Sequence, residues 1–259
     1  MTNEREPEGD QGIKSLRKVM QVLDCFSTNT RSLTLMEISR RAGFPKSTCH
    51  RLLSSMREVG LLDQDRERES YRLGLRLFEY GNTVLSNLDL HREALPTLEA
   101  LRRLSGQTVH LAVFDGLRAI VIHSADVSRS AVTHIESSPT HCTSVGKAIL
   151  AFQPDEVFQR IVAMGLTRYT DATITDPATL SAQLAEIRGR GYAVDEGEHQ
   201  PGLRCIGAPI RDRNGHVFAA VSISGPSWEI GVEKTEGMSK IVMHHAGVVS
   251  QRLGYDAGT

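Results

Sequence analysis

Lys46, Ser47, Thr48, His50, Arg51 and Ser54 crowd cationic, imidazole and hydroxyl side chains into one short stretch of the chain. On a helix they share a polar face, because Cys49, Leu52, Leu53, Met56 and Val59 recur at helical spacing and claim the opposite side. Such a face near a helix start can donate to phosphates and to base edges in a major groove. The same residues also suit the solvated face of an ordinary helical hairpin. A second set is chemically different. Ser222 and Ser224 sit two apart on a strand pattern and must point the same way, with Cys205 on the neighbouring strand and Asp195 ending the strand before it. Ser144-Val145-Gly146 opens a helix pattern, where free backbone N–H groups favour a carboxylate. Small strand residues packed under a helix, with a serine at a helix start, would leave the same pattern.

The elements that must hold the first set favour the nucleic-acid reading. Thr34-Leu35-Met36-Glu37 is a capping box that starts a helix, Gly43 can take the left-handed conformation that ends it, and Pro45 sits where a second helix begins. Leu61-Leu62 and Tyr71-Arg72-Leu73 read as strands around a charged turn, Asp63 to Ser70, which gives a wing. Arg66, Arg68 and Arg72 could reach phosphates from it, although Asp63, Asp65, Glu67 and Glu69 interleave with them and would also keep the turn soluble. Ile13, Leu16, Met20 and Leu23, flanked by Val19 and Phe26, form an amphipathic helix to cover the back of the helix pair.

Charge follows the same division. Residues 12–74 hold 12 Lys and Arg against 7 Asp and Glu, whereas the whole chain carries a net charge of −1. A basic segment is therefore masked by acidic flanks, and it can supply sequence-independent affinity for DNA through counterion release. With 259 residues, 40% of them hydrophobic, the chain can build two cores. No run nears the ~18 apolar residues of a membrane span, and the polar start MTNEREPEGDQ lacks a signal-peptide core, so a cytoplasmic protein is expected. The scattered Cys25, Cys49, Cys142 and Cys205 fit reduced thiols better than a disulfide framework.

Beyond the wing, Leu75, Phe78, Leu85 and Leu88 predict a connecting helix weakened at Gly81. Leu95, Leu98, Leu101 and Leu104 predict another after Pro96, ending at Gly106, which places the joint between domains at 87–96. Strands are expected at 108–114 and 118–123 across the Asp115-Gly116 turn, and at 192–195, 203–210 and 216–224. Helices are expected at 143–152, 155–163, 177–188 and 229–253. The implied architecture is α+β, an antiparallel sheet with helices on its faces.

Competing chemistries find less support. His141 beside Cys142, or His199 with Cys205, would suggest a thiol nucleophile, but sequence neighbours rarely supply an aligned base. Ser144 to Ala148 has the look of a P-loop end, yet position 141 is His rather than Gly and Ala148 replaces the hydroxyl that would hold Mg²⁺. His141, His199, Cys205 and Asp195 lack the close spacing of a metal site, so neither metal nor other cofactor is expected. His244-His245 reads as surface. A ligand-binding sensor without DNA affinity is the other class that fits.

Four blocks in order, AGFPKSTCHRLL, HCTSVGKAILAF, RGRGYAVDEGEHQPGLRCIGAPI and FAAVSISGP, make the chain resemble the IclR-type transcriptional regulators over roughly residues 12–253. The resemblance implies a winged helix-turn-helix domain at 12–74, a linker helix at 75–90 and a GAF-like effector domain at 91–254. It further implies a homodimer or homotetramer on a palindromic, inverted-repeat operator in double-stranded DNA, controlled by a small organic or aromatic carboxylate. Carried over by position, the effector contacts fall on Ser144, Val145 and Gly146, on Asp195, on Cys205, and on Ser222 and Ser224. Some members have Gly-Ala where this chain has Ser144-Val145, and many have an aromatic residue at the position of His50. Neither pocket shape nor operator sequence therefore transfers.

Overall fold

In the computed structural model, which describes residues 8–27, 29–65, 69–86, 89–126 and 136–256, the chain divides into compact units Met1–Asn87 and Leu88–Thr259. The first unit begins with α1 (Glu8–Leu23) and the short strand β1 (Leu33–Thr34). Thr34 then caps α2 (Leu35–Ala42): its hydroxyl accepts from the Glu37 amide at 3.3 Å, and the Glu37 carboxylate accepts from the Thr34 amide at 2.8 Å. This reciprocal bond satisfies two donors that a helix start leaves open. Gly43, at φ 71°, turns the chain out of α2, and Pro45 precedes α3 (Lys46–Glu58).

Two wing strands, β2 (Leu62–Asp65) and β3 (Ser70–Leu73), pair antiparallel. Arg66, Glu67 and Arg68 lie outside the described residues. A strand unforeseen in the sequence, β1, pairs with the other side of β3, which gives a sheet ordered β1-β3-β2. Val22, Ile38, Cys49, Leu53, Met56 and Leu62 form the buried core. Val59 departs from its expected stripe, 47% exposed, because it lies past the last turn of α3 as its C-cap. The buried side of α1 is also rotated from the expected stripe. Val22 is buried with Val19 and Leu23 packed beside it, while Leu16 and Met20 are 68% and 56% exposed. The side chain of Ile13 lies outside the described ones. Helix α4 (Leu75–Ser86) runs unbroken through Gly81, with Leu75 and Phe78 exposed; the side chain of Leu85, and Leu88, lie outside the described residues.

The second unit starts earlier in helix than Pro96 implied. Helix α5 (Asp89–Ser105) contains Pro96 and buries Leu90, Ala94, Leu98 and Leu101, whereas Leu95 and Leu104 point outward. A proline inside a helix removes one hydrogen bond, and burial of Leu90 and Ala94 in the turns before it offsets that loss. Strands β4 (Thr108–Phe114) and β5 (Ala119–Ala125) follow across Asp115-Gly116, where Asp115 Oδ1 accepts from the amides of Leu117 and Arg118. The short β6 (Glu136–Ser138) adds an unanticipated edge.

After α6 (Ser144–Leu150), α7 (Asp155–Ala163) and α8 (Pro177–Arg190) come β7 (Ala193–Glu196), β8 (Leu203–Arg211) and β9 (Val217–Pro226). A 3-10 turn, Val232–Lys234, leads into α9 (Thr235–Arg252). The strands form an antiparallel sheet ordered β6-β5-β4-β9-β8-β7. The fold is α+β, as expected. His245 corrects the surface reading of the histidine pair: it is buried, its Nδ1 2.8 Å from the Ile241 carbonyl, while His244 is exposed.

Candidate functional site

Around the start of α3 the polar face is open. Lys46, Ser47, His50 and Arg51 are exposed and Thr48 and Ser54 half-buried. Lys46, His50 and Arg51 have no side-chain partner among the described residues, so their donors remain available. Cys49, Leu53 and Met56 on the opposite side are buried, which fixes the rotation of the helix. The Arg57 guanidinium donates to the Gln64 amide oxygen and ties α3 to the wing. Arg72 is exposed and only 3.7 Å from the exposed Asp63, a contact too solvated to hold it away from a phosphate.

In the second unit, strand register creates a polar patch inside the fold. Asp195 lies opposite Cys205, Cys205 opposite Ser224, and Ser224 opposite Thr108, so one row crosses four strands. The adjacent row runs Gly207, Ser222, His110, Ser124. Opposed residues share a face, which the packed helix α6 overlies. At Gly207 an added Cβ would sit 2.8 Å from the Ser144 carbonyl oxygen, so glycine is what lets α6 approach the sheet so closely. Ser144, Val145, Asp195, Cys205, Ser222 and Ser224 consequently surround one cavity of about 560 Å³.

Gly146 does not line that cavity. Its amide donates to Thr143 Oγ1 at 3.1 Å in the helix cap, and its Cα faces the 139–140 backbone. The amides of Ser144 and Val145, also in the first turn, have no intrahelical carbonyl to meet. Thr108, His110, Ser124 and Asp126 also line the cavity and were not singled out in the sequence, and so does His199, which the sequence offers only as a thiol or metal partner. The two-residue period of 108–114 places Thr108 and His110 together; only the pairing of β4 with β9 reveals which side they take.

Burial sets the electrostatics. Desolvation lowers the His110 pKa to about 4, which leaves a neutral imidazole. Burial together with nearby Asp195 pushes both Cys142 and Cys205 up to about 12, and Cys205 donates to Ser224 Oγ at 3.2 Å. Thiols with pKa values this high stay protonated near neutral pH and are poor nucleophiles. Behind the cavity Lys147, fully buried, donates to Gln183 Oε1 at 2.9 Å and to Glu198 Oε1, while Glu198 Oε2 has no partner among the described residues. This ion pair was missed because residues 147 and 198 meet only in three dimensions. No group of three or more metal-ligating side chains occurs among the described residues.

Asp195 accepts from the Glu198 amide at 2.7 Å, yet its pKa is raised by burial against the opposing pull of that bond and of Lys147. A carboxyl that binds its proton more tightly when folded contributes stability at low pH and loses it as pH rises through its folded value. Asp195→Asn keeps an acceptor for that amide without the buried charge. It should therefore raise the melting temperature more at about pH 7 than at about pH 4. An equal shift at both pH values, or a loss at the higher one, would contradict this.

Comparison with known proteins agrees with both halves. Residues 15–66 match the IclR helix-turn-helix domain and residues 82–251 the family described as bacterial transcriptional regulator IclR C-terminal. The chain is 33% identical to the HTH-type transcriptional regulator KdgR of Escherichia coli K12, covering 98% of each. It is 34% identical to the transcriptional repressor IclR of the same organism, over 93% of this chain and 90% of that one. A solved IclR homolog from Microbacterium hydrocarbonoxydans, complexed with 4-hydroxybenzoate, is 28% identical with a TM-score of 0.77, covering 92% of this chain and 98% of that one. No helix among the described residues is long and apolar enough to cross a membrane. With an open polar face on α3 and family matches over both units, the chain belongs to the IclR family of DNA-binding transcriptional regulators.

Proposed function

We propose that the protein reads an inverted-repeat operator as a homodimer or homotetramer, with Lys46, Ser47, Thr48, His50, Arg51 and Ser54 entering the major groove. The observation that carries this reading is the unpartnered polar face at the start of α3, backed by a buried stripe that prevents the helix from turning it inward. One helix and one wing cover too little DNA for tight specific binding, which favours at least two copies on two half-sites. Functionally the chain divides into a DNA-binding domain at 12–74, a linker at 75–90 that includes α4, and an effector domain at 91–254. A cytoplasmic, non-enzymatic protein fits the role.

The effector is a small carboxylate in the cavity beneath α6. First-turn amides of Ser144 and Val145 receive its carboxylate, while Ser222, Ser224 and Cys205 orient the rest of the molecule. Asp195, with its raised pKa, meets a ligand hydroxyl. The 4-hydroxybenzoate bound by the Microbacterium homolog is a ligand of this kind. A thiol enzyme is disfavoured by pKa values of about 12 at Cys142 and Cys205.

Arg51→Ala should weaken operator binding by about 1–3 kcal/mol and relax preference at one base position, whereas Lys46→Ala should weaken all duplexes alike. Footprinting of the wild type should protect two related half-sites about one helical turn, or a multiple, apart. Mutants that bind the operator like wild type, or protection of one half-site by a monomer, would overturn the assignment.

A further inference from the structure

A second cavity, of about 430 Å³, lies on the other side of the 139–143 segment from the effector cavity. Ser138 and Thr143 line the first cavity, Pro139, Thr140 and His141 line the second, and His199 borders both. Its size is that of a small-molecule site. Its chemistry differs from the first. Asp126 and Asp195 face the effector cavity, whereas the second is lined by no carboxylate among the described residues and by one cation, Arg118. Among the described residues nothing pairs with the Arg118 guanidinium, because the turn at Asp115 engages only its backbone.

Three rings stand together along the wall. Tyr169 lies 6.1 Å from His141 and 5.0 Å from His199 between ring centroids, the latter contact edge-on at 62°. Leu117, Ile161 and Met164 supply apolar surface. His141 is buried, and its Nε2 sits 3.0 Å from the Thr167 carbonyl, which fixes that ring nitrogen as the donor. A free guanidinium, ring faces, apolar walls and no opposing carboxylate favour a flat molecule with one negative charge.

We propose that this cavity is a second small-molecule site, taking a planar monoanion such as an aromatic carboxylate against Arg118 and Tyr169, and coupled to the effector cavity through the 197–199 turn. Thr170 Oγ1 donates to the Gly197 carbonyl at 2.7 Å and Thr173 Oγ1 to the Glu198 carbonyl at 2.6 Å. The Glu198 amide in turn donates to Asp195 in the first cavity. A ligand wedged against Tyr169 and His199 therefore presses on the turn that positions Asp195. Any such coupling works equally in both directions.

The test is titration of the full chain with 4-fluorobenzoate followed by fluorine NMR, comparing wild type with Arg118→Ala, Tyr169→Ala and Ser222→Val. Arg118 and Tyr169 are exposed enough that their loss should leave folding intact. Arg118→Ala is expected to weaken the probe by about tenfold or more, as loss of a charge-assisted pair should. Ser222→Val should leave that binding event in place, which separates this proposal from the role assigned to the first cavity. Three results would overturn it: no saturable binding of the probe, binding unaffected by Arg118→Ala, or binding lost in Ser222→Val alone. Coverage of the cavity by a second copy would also overturn it, and would appear as a change in sedimentation on Arg118→Ala.

Discussion

Replacing Lys147 with methionine should destabilise the C-terminal unit by about 3–5 kcal/mol near neutral pH, the usual cost of stranding one member of a buried ion pair. Lys147 is completely buried, and it is the cation that Glu198 meets in a pocket where Asp195 is also buried. Without the ammonium, Glu198 must either remain an uncompensated anion or take up a proton. Burial already raises its pKa, with Lys147 opposing the rise, so removal of Lys147 pushes it further upward. The destabilisation should therefore shrink as pH falls and Glu198 becomes neutral. Glu198→Gln added to Lys147→Met should recover much of the loss. Differential scanning calorimetry on the single and double variants checks this, and a single variant as stable as wild type would show that the pair carries no weight.

The second large effect is expected at Gly146→Ala. A methyl group there would lie 2.5 Å from the Thr140 Cα and 2.6 Å from the Pro139 carbonyl oxygen, both backbone atoms that cannot rotate away. Relief requires α6 to shift from the 139–143 segment, and overpacking of this kind costs about 1–3 kcal/mol or more. Because α6 carries Ser144 and Val145 to the cavity, effector affinity should fall together with melting temperature. A variant with native stability and unchanged ligand affinity would contradict the close packing.

Much of this was legible in the sequence because it is local. The Thr34–Glu37 cap, the left-handed Gly43 and the two-residue alternation of Ser222 and Ser224 depend on neighbours a few positions away, and each appears where its pattern placed it. What escaped depends on distant partners. β1 exists only because β3 offers an unpaired edge to Leu33 and Thr34. His110 enters the cavity through its register with Ser222, more than a hundred residues away, and Lys147 finds Glu198 only after α6 settles over the sheet. The rotation of α1 was lost for a related reason: Val19, Val22 and Leu23 compete with Leu16 and Met20 for the inward side, and only packing decides. Gly146 was assigned to the cavity through its helix position, but the cap hydroxyl of Thr143 had already claimed its amide.

Linkage between the effector cavity and the helix face that reads DNA requires operator affinity to depend on the bound carboxylate. The direct measurement is operator affinity as a function of a carboxylate, taking whichever of gluconate, pyruvate and 4-hydroxybenzoate most raises the melting temperature of the C-terminal unit. The ligand should change operator affinity by some factor, and operator should change ligand affinity by the same factor. Ser222→Val should weaken the ligand while leaving ligand-free operator affinity near that of wild type. A carboxylate that saturates the protein without altering operator binding, or that binds Ser222→Val normally, would contradict the account.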